Sequence, residues 1–138
     1  MSDGRPAGYS GKPLWQKLGL KPGQRVLVRG APQNYADLVG LRAAELDLVG
    51  PRAAFDIAHV FVTSARELTA SLADLTRRLP PTGVLWVSWP KRGSKVASDV
   101  GEDTIRSLAL PIGVVDIKVC AVDATWSALK LVWRKDRR

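Results

Sequence analysis

The chain has 138 residues, 46% of them hydrophobic and 25% charged, proportions of an ordinary globular domain that exclude a disordered or fibrous class. A chain this long buries roughly two thirds of the surface its unfolded form exposes, so one domain with its own core is expected. The net charge of +8 points to anionic partners, either a small molecule or an acidic protein surface.

Residues 1–13 read as a flexible amino-terminal arm, 14–134 as a single α/β domain and 135–138 as a solvated basic tail. "PLWQKLGL" places Leu14, Trp15 and Leu18 on one helical face before Gly19 and a Lys-Pro-Gly turn, and "QRVLVRG" follows as a buried strand. "NYADLVGLRAAELDLVG" predicts a short helix from Asn34 and a strand around Glu45 to Val49. "FDIAHVFVTS" is an almost continuous apolar run, the signature of a strand buried on both faces. In the next segment Ser64 is the expected N-cap, Glu67 completes a capping box, and Leu68, Leu72, Leu75 and Leu79 recur at helical spacing until Pro80 and Pro81 stop the helix. "GVLWVSWP" is another buried strand, and "EDTIRSLALPIG" a helix that opens on Glu102 and Asp103, where carboxylates suit the helix dipole. The last stretch predicts two antiparallel strands around a turn at Asp123 to Thr125. Simple alternation in "VDIKVCAVD" puts Asp116 and Lys118 on one face and Ile117, Val119 and Ala121 on the other, a pattern suited to an edge strand.

Strands alternating with helices predict an α/β fold: one doubly wound, mostly parallel, Rossmann-like sheet, closed by a carboxyl-terminal antiparallel hairpin. This order of elements, with a turn like "LKPGQRVL" before the first strand, resembles the S-adenosylmethionine-dependent methyltransferase fold, shortened by about one strand-helix unit before "FDIAHVFV". That resemblance implies a loop after the first strand with an acidic residue and two glycines. On Val28, Arg29, Gly30, Ala31 and Pro32 only Gly30 fits. Pro32 lacks an N–H, Ala31 adds a Cβ, and Arg29 sets a cation where a sulfonium would lie. The dinucleotide fingerprint fails too, with two of its three glycines missing. No cofactor is therefore expected, and Glu45 or Asp47 reads as a surface carboxylate rather than a ribose ligand. "GYSGKPLWQKLGLKPG", "LWVSWPKRGSKVASDV" and "VDIKVCAVDATWSALKLVWRK" together resemble a small bacterial family, the domain of unknown function numbered three thousand and fifty-two. That resemblance implies no activity and no ligand.

The single cysteine, Cys120, cannot form an internal disulfide, nor can it and the only histidine, His59, assemble a zinc site, so no metal and a reducing cytoplasm are expected. No apolar run approaches the roughly 20 residues of a membrane span. P-loop, nucleophile-elbow and His-Glu-x-x-His motifs are absent, while His59 and Cys120 lie in apolar strands and read as core residues. The expected role is a non-catalytic binding or regulatory domain on a methyltransferase-like scaffold without its cofactor loop. The alternatives are a divergent enzyme, methyltransferase-like or acting on a nucleotide or other anionic small molecule, and a weak nucleic-acid binder whose affinity vanishes with salt.

In open α/β sheets ligands gather beyond the carboxyl ends of the strands, at the point where strand order reverses. Ser64 begins a helix there, so free backbone amides are expected, and the next strand brings "WPKRGSK" beside them. The predicted anion site therefore comprises Ser64, Lys91, Arg92, Ser94 and Lys95, with Trp89 as an apolar wall.

Overall fold

The computed structural model describes residues 12–40 and 47–138. Its elements are α1 (Leu14–Leu18), β1 (Arg25–Arg29), α2 (Tyr35–Val39), β2 (Asp47–Val49), β3 (Ile57–Phe61), α3 (Ala65–Arg78), β4 (Val84–Pro90), α4 (Glu102–Ala109), β5 (Val114–Ala121) and β6 (Trp126–Trp133). They form a six-stranded sheet ordered β2-β1-β3-β4-β6-β5. The first four strands are parallel, and β6 runs antiparallel to both β4 and β5. This is the expected doubly wound α/β sheet with a closing hairpin. Its order reverses between β1 and β3, the position of the topological switch.

Period-two alternation sorts the core into two layers. Leu27, Ala58, Val60, Leu85, Val87, Leu129 and Leu131 face α3 and α4, where Leu68, Leu72, Leu75 and Ile105 meet them. Val26, Ile57, Phe61, Trp86 and Ala128 face the other way, against Leu14 and Leu18 of α1 and Tyr35 and Val39 of α2. Burying each such leucine contributes roughly 1.5–3 kcal/mol, so α3 is held mainly by its leucine stripe. Its start is built locally. Ser64 Oγ accepts the Glu67 amide at 3.1 Å, and the Glu67 carboxylate reaches back to the Thr63 amide and hydroxyl, both at 2.9 Å. The carboxylate closes the capping box one residue earlier than the motif predicts.

The last hairpin differs from the expectation at one point. A β-bulge between Asp116 and Lys118 leaves Ile117 without a partner, so Asp116 lies opposite Leu131 and Lys118 opposite the adjacent Lys130. The two charges therefore point to opposite faces of this edge strand: Asp116 meets Arg106 of α4 at 2.9 Å, and Lys118 Nζ donates to the Lys17 carbonyl of α1 at 3.3 Å. One extra residue shifts the alternation by one and strengthens the local twist. The basic tail is exposed but anchored. Arg137 lies 5.4 Å from the centre of the Trp133 ring and donates to the Ile112 carbonyl at 3.2 Å. As the shortened pattern before "FDIAHVFV" implies, β2 passes to β3, on the other side of β1, through residues 50–56 alone with no crossover helix, whereas parallel strands of one sheet usually connect through one. Residues 1–11 of the predicted arm lie outside the described residues. No described helix is long and apolar enough to cross a membrane.

Candidate functional site

The carboxyl end of β1 is where a cofactor would sit in this architecture, and here the exposed Gly30 follows the strand directly. Gly30 has φ +72°, and a Cβ there would lie 2.7 Å from the Phe61 carbonyl oxygen at the end of β3. The glycine is required by a strand neighbour, without reference to any ligand. Arg29 turns toward α3 and donates from Nη2 to Asp74 Oδ2 at 2.7 Å. Asp47 is exposed and pairs with Arg25 at the amino ends of the strands, away from the edge at which a ribose would lie. Glu45 lies outside the described residues.

Behind this end runs a buried polar chain. His59 Nδ1 is 2.9 Å from the Tyr35 hydroxyl and His59 Nε2 is 2.6 Å from Ser88 Oγ. His59 and Ser88 expose none of their surface. Each side chain is thereby satisfied. Burial pushes the His59 pKa down to about 3 and raises that of the Tyr35 phenol. The imidazole stacks on Phe61 with ring centres 4.4 Å apart. It is a core histidine with both nitrogens engaged, removed from any solvent-borne substrate. Cys120 is likewise buried, and its thiol pKa is raised first by desolvation.

An open groove of about 850 Å³ lies one strand further on, between the carboxyl end of β4 and the start of α4. Trp89, Lys91, Arg92 and Ser94 line it; Ser64 and Lys95 do not. The predicted cluster is thus brought together in part. Three of the amides expected to be free at the start of α3 are taken. The Ala65 amide donates to Asp99 Oδ1 at 2.7 Å, the Thr63 amide to Glu67, and the Glu67 amide to Ser64. A carboxylate tethered in the same chain fills such a position ahead of a dissolved anion, because it loses little further freedom on binding.

Asp99 is the residue that sequence reasoning missed. Its only local signal is "SDVGED", an acidic residue close before a helix start. At that start the Gly101 amide donates to Thr104 Oγ1 at 3.2 Å, while Glu102 and Asp103 engage Arg106 at 2.8 and 3.4 Å. Asp99, Glu102 and Asp103 line the groove together with Lys91 and Arg92. Ser94 also lines the groove, and its Oγ is buried without a hydrogen-bond partner among the described residues, a hydroxyl left unsatisfied in a fold that normally pairs such groups. No group of three or more described His, Cys, Asp or Glu residues is arranged to hold a metal ion. Trp86 is fully buried with Nε1 donating to the Leu18 carbonyl, and Trp133 Nε1 donates to the Leu79 carbonyl.

No family model and no curated protein matches the chain. Solved structures do resemble it. A protein of the NADB-Rossmann superfamily from Streptococcus agalactiae superposes with a TM-score of 0.57 at 11% identity, over 92% of this chain and 70% of that one. A SAM-dependent methyltransferase from Aquifex aeolicus gives 0.55 at 15% identity, over 84% and 85% of the two chains. A tRNA methyltransferase from B. subtilis gives 0.56 at 11% identity, over 92% and 68%. At such identities the likeness concerns the fold alone: this chain has a Rossmann-like, methyltransferase-type sheet.

Proposed function

We propose that this protein is a non-catalytic binding or regulatory domain on a methyltransferase-like scaffold, which takes an anionic small molecule or an acidic protein surface in the groove after β4. The observation that carries the reading is the end of β1, where Gly30 lies against the Phe61 carbonyl, Arg29 is tied to Asp74, and Ala31 and Pro32 stand in place of the loop's further glycine. The groove after β4 supports the second half, with Lys91 and Arg92 as cations, Ser94 Oγ as an unpaired hydroxyl and Trp89 as apolar wall. Ser64 has the different task of capping α3. The resemblance to the bacterial domain family is compatible with this role and with a cytoplasmic location.

The test is calorimetric titration of S-adenosylmethionine and of inorganic phosphate into the parent and a Lys91→Ala, Arg92→Ala variant. No saturable S-adenosylmethionine binding is expected, and a phosphate response that is weaker in the variant than in the parent. Low-micromolar saturable binding of S-adenosylmethionine would overturn the non-catalytic reading. Equal phosphate responses in parent and variant would remove the groove.

A further inference from the structure

A second basic cluster lies on the α3 flank, where the loop after β2 passes beneath the helix. Arg29, Pro51, Arg52, Asp74, Arg77 and Arg78 line an open groove of about 480 Å³. Four guanidinium groups thus surround a single carboxylate, the only one lining the groove among the described residues. Both Asp74 oxygens are in use: Oδ1 accepts from Arg77 at 3.0 Å, and Oδ2 accepts from Arg29 at 2.7 Å and Arg78 at 2.9 Å. Arg78 is held on its other edge as well, where Nη2 donates to the Pro51 and Ala53 carbonyls at 2.9 and 3.0 Å, and its guanidinium lies 5.6 Å from the centre of the Phe55 ring.

Asp74 balances one of the four positive charges and fixes where three of the four arginines point. Surface arginines ordinarily sample many rotamers, and most of the cost of gathering them around a ligand is the ordering of those chains. For Arg29, Arg77 and Arg78 the fold has already met that cost. Each guanidinium has five N–H donors in a plane, so Arg77 keeps several after its bond to Asp74. Fixed, forked donors of this kind match tetrahedral oxyanions bidentately, as a lysine ammonium does not.

We propose that this groove is an anion site for a phosphoryl-bearing small molecule, bound by Arg77 and Arg52 at the open side with Arg29 and Arg78 behind them. The site is independent of the β4 groove. It exists because residues 50–56 connect β2 to β3 without a helix, which leaves the α3 flank uncovered for Arg52 to approach Arg77.

Inorganic pyrophosphate is the probe, titrated calorimetrically in the Lys91→Ala, Arg92→Ala background so that the β4 groove contributes nothing. Saturable binding is expected there, weakened about tenfold or more by adding Arg52→Ala and Arg77→Ala, and less by the corresponding lysine substitutions, which keep charge but lose the forks. Both side chains are exposed, and circular dichroism confirms that the variants fold. The proposal is overturned if pyrophosphate does not bind at millimolar concentration, if the alanine variant binds it as the background does, or if the lysine variant equals the background. It also fails if a single-stranded oligonucleotide binds through these arginines and pyrophosphate does not. Loss of phosphate binding at Lys91 and Arg92 leaves this result untouched, so the two sites fail separately.

Discussion

The carboxyl ends of β1 and β4 carry loops of the same chemical character, each with a glycine at positive φ beside a basic residue, yet their surroundings are opposite. After β1, Gly30 lies against the Phe61 carbonyl and Arg29 is bound to Asp74. After β4, Gly93 has φ +88° with nothing within 4 Å of a Cβ, and Lys91 and Arg92 face an open groove. A glycine next to a base is therefore no mark of a ligand loop. What separates the two ends is strand neighbourhood. β1 lies between the parallel β2 and β3, and the end of β3 meets Gly30, whereas β4 borders the antiparallel β6 and its next segment lines a groove with the start of α4.

The largest expected effect strikes the floor that both ends share, where His59 of β3 bonds Ser88 of β4. Burial lowers the His59 pKa to about 3 from an ordinary 6.5, so between those values the unfolded chain binds a proton that the native state refuses. This contribution is fully present above pH 6.5 and is lost as pH falls toward 3, by up to roughly 1.4 kcal/mol per pH unit. A His59→Phe variant, although destabilised at neutral pH by the unpaired Tyr35 and Ser88 hydroxyls, loses stability less steeply on acidification. Urea unfolding at pH 4 to 6 measures the slopes, and identical slopes in the two proteins would refute a buried neutral imidazole.

A pair of matched substitutions tests the two loops themselves. Gly30→Ala combines a strained left-handed backbone with a collision against a main-chain oxygen and should cost about 3 kcal/mol, while Gly93→Ala bears only the backbone term, about 1 kcal/mol. Urea midpoints read the difference. Equal costs would mean that the β1 end is as open as the β4 end, and the contrast would collapse.

The smallest effect sharpens the account of the α3 start. Asp99→Ala frees the Ala65 amide and should cost about 0.5–1 kcal/mol, in the range of a lost helix cap. It also vacates the position that Asp99 holds as a built-in anion. Sulfate should consequently raise the melting temperature of Asp99→Ala by more than that of the parent. A smaller or equal rise would show that the helix end was never an anion position.

Signals that span a few residues were legible in the chain. The Ser64 cap, the leucine stripe of α3 and its Pro80-Pro81 stop could be read directly, and so could the turn in which Asp123 Oδ1 accepts the Thr125 and Trp126 amides at 2.8 Å. The sheet class followed from alternating strands and helices. The site was legible only in part. Trp89, Lys91, Arg92 and Ser94 share a groove because they follow one another on one strand end, while joining Ser64 to them required knowing which anion would reach the α3 amides first.

Sequence by itself determined the elements, their apolar faces and the breakdown of the cofactor-loop pattern at Ala31 and Pro32, since each of these rests on backbone geometry or side-chain spacing within one element. Tertiary structure alone decided that Gly30 meets the Phe61 carbonyl, that Asp99 caps a helix 34 residues earlier, that a bulge parts Asp116 from Lys118, and that Arg29, Arg77 and Arg78 converge on Asp74. The physical reason is common to all four. Each depends on the register and approach of segments distant in the chain, which are set by the packing of the whole core, and no local propensity encodes where a remote carbonyl or carboxylate will arrive.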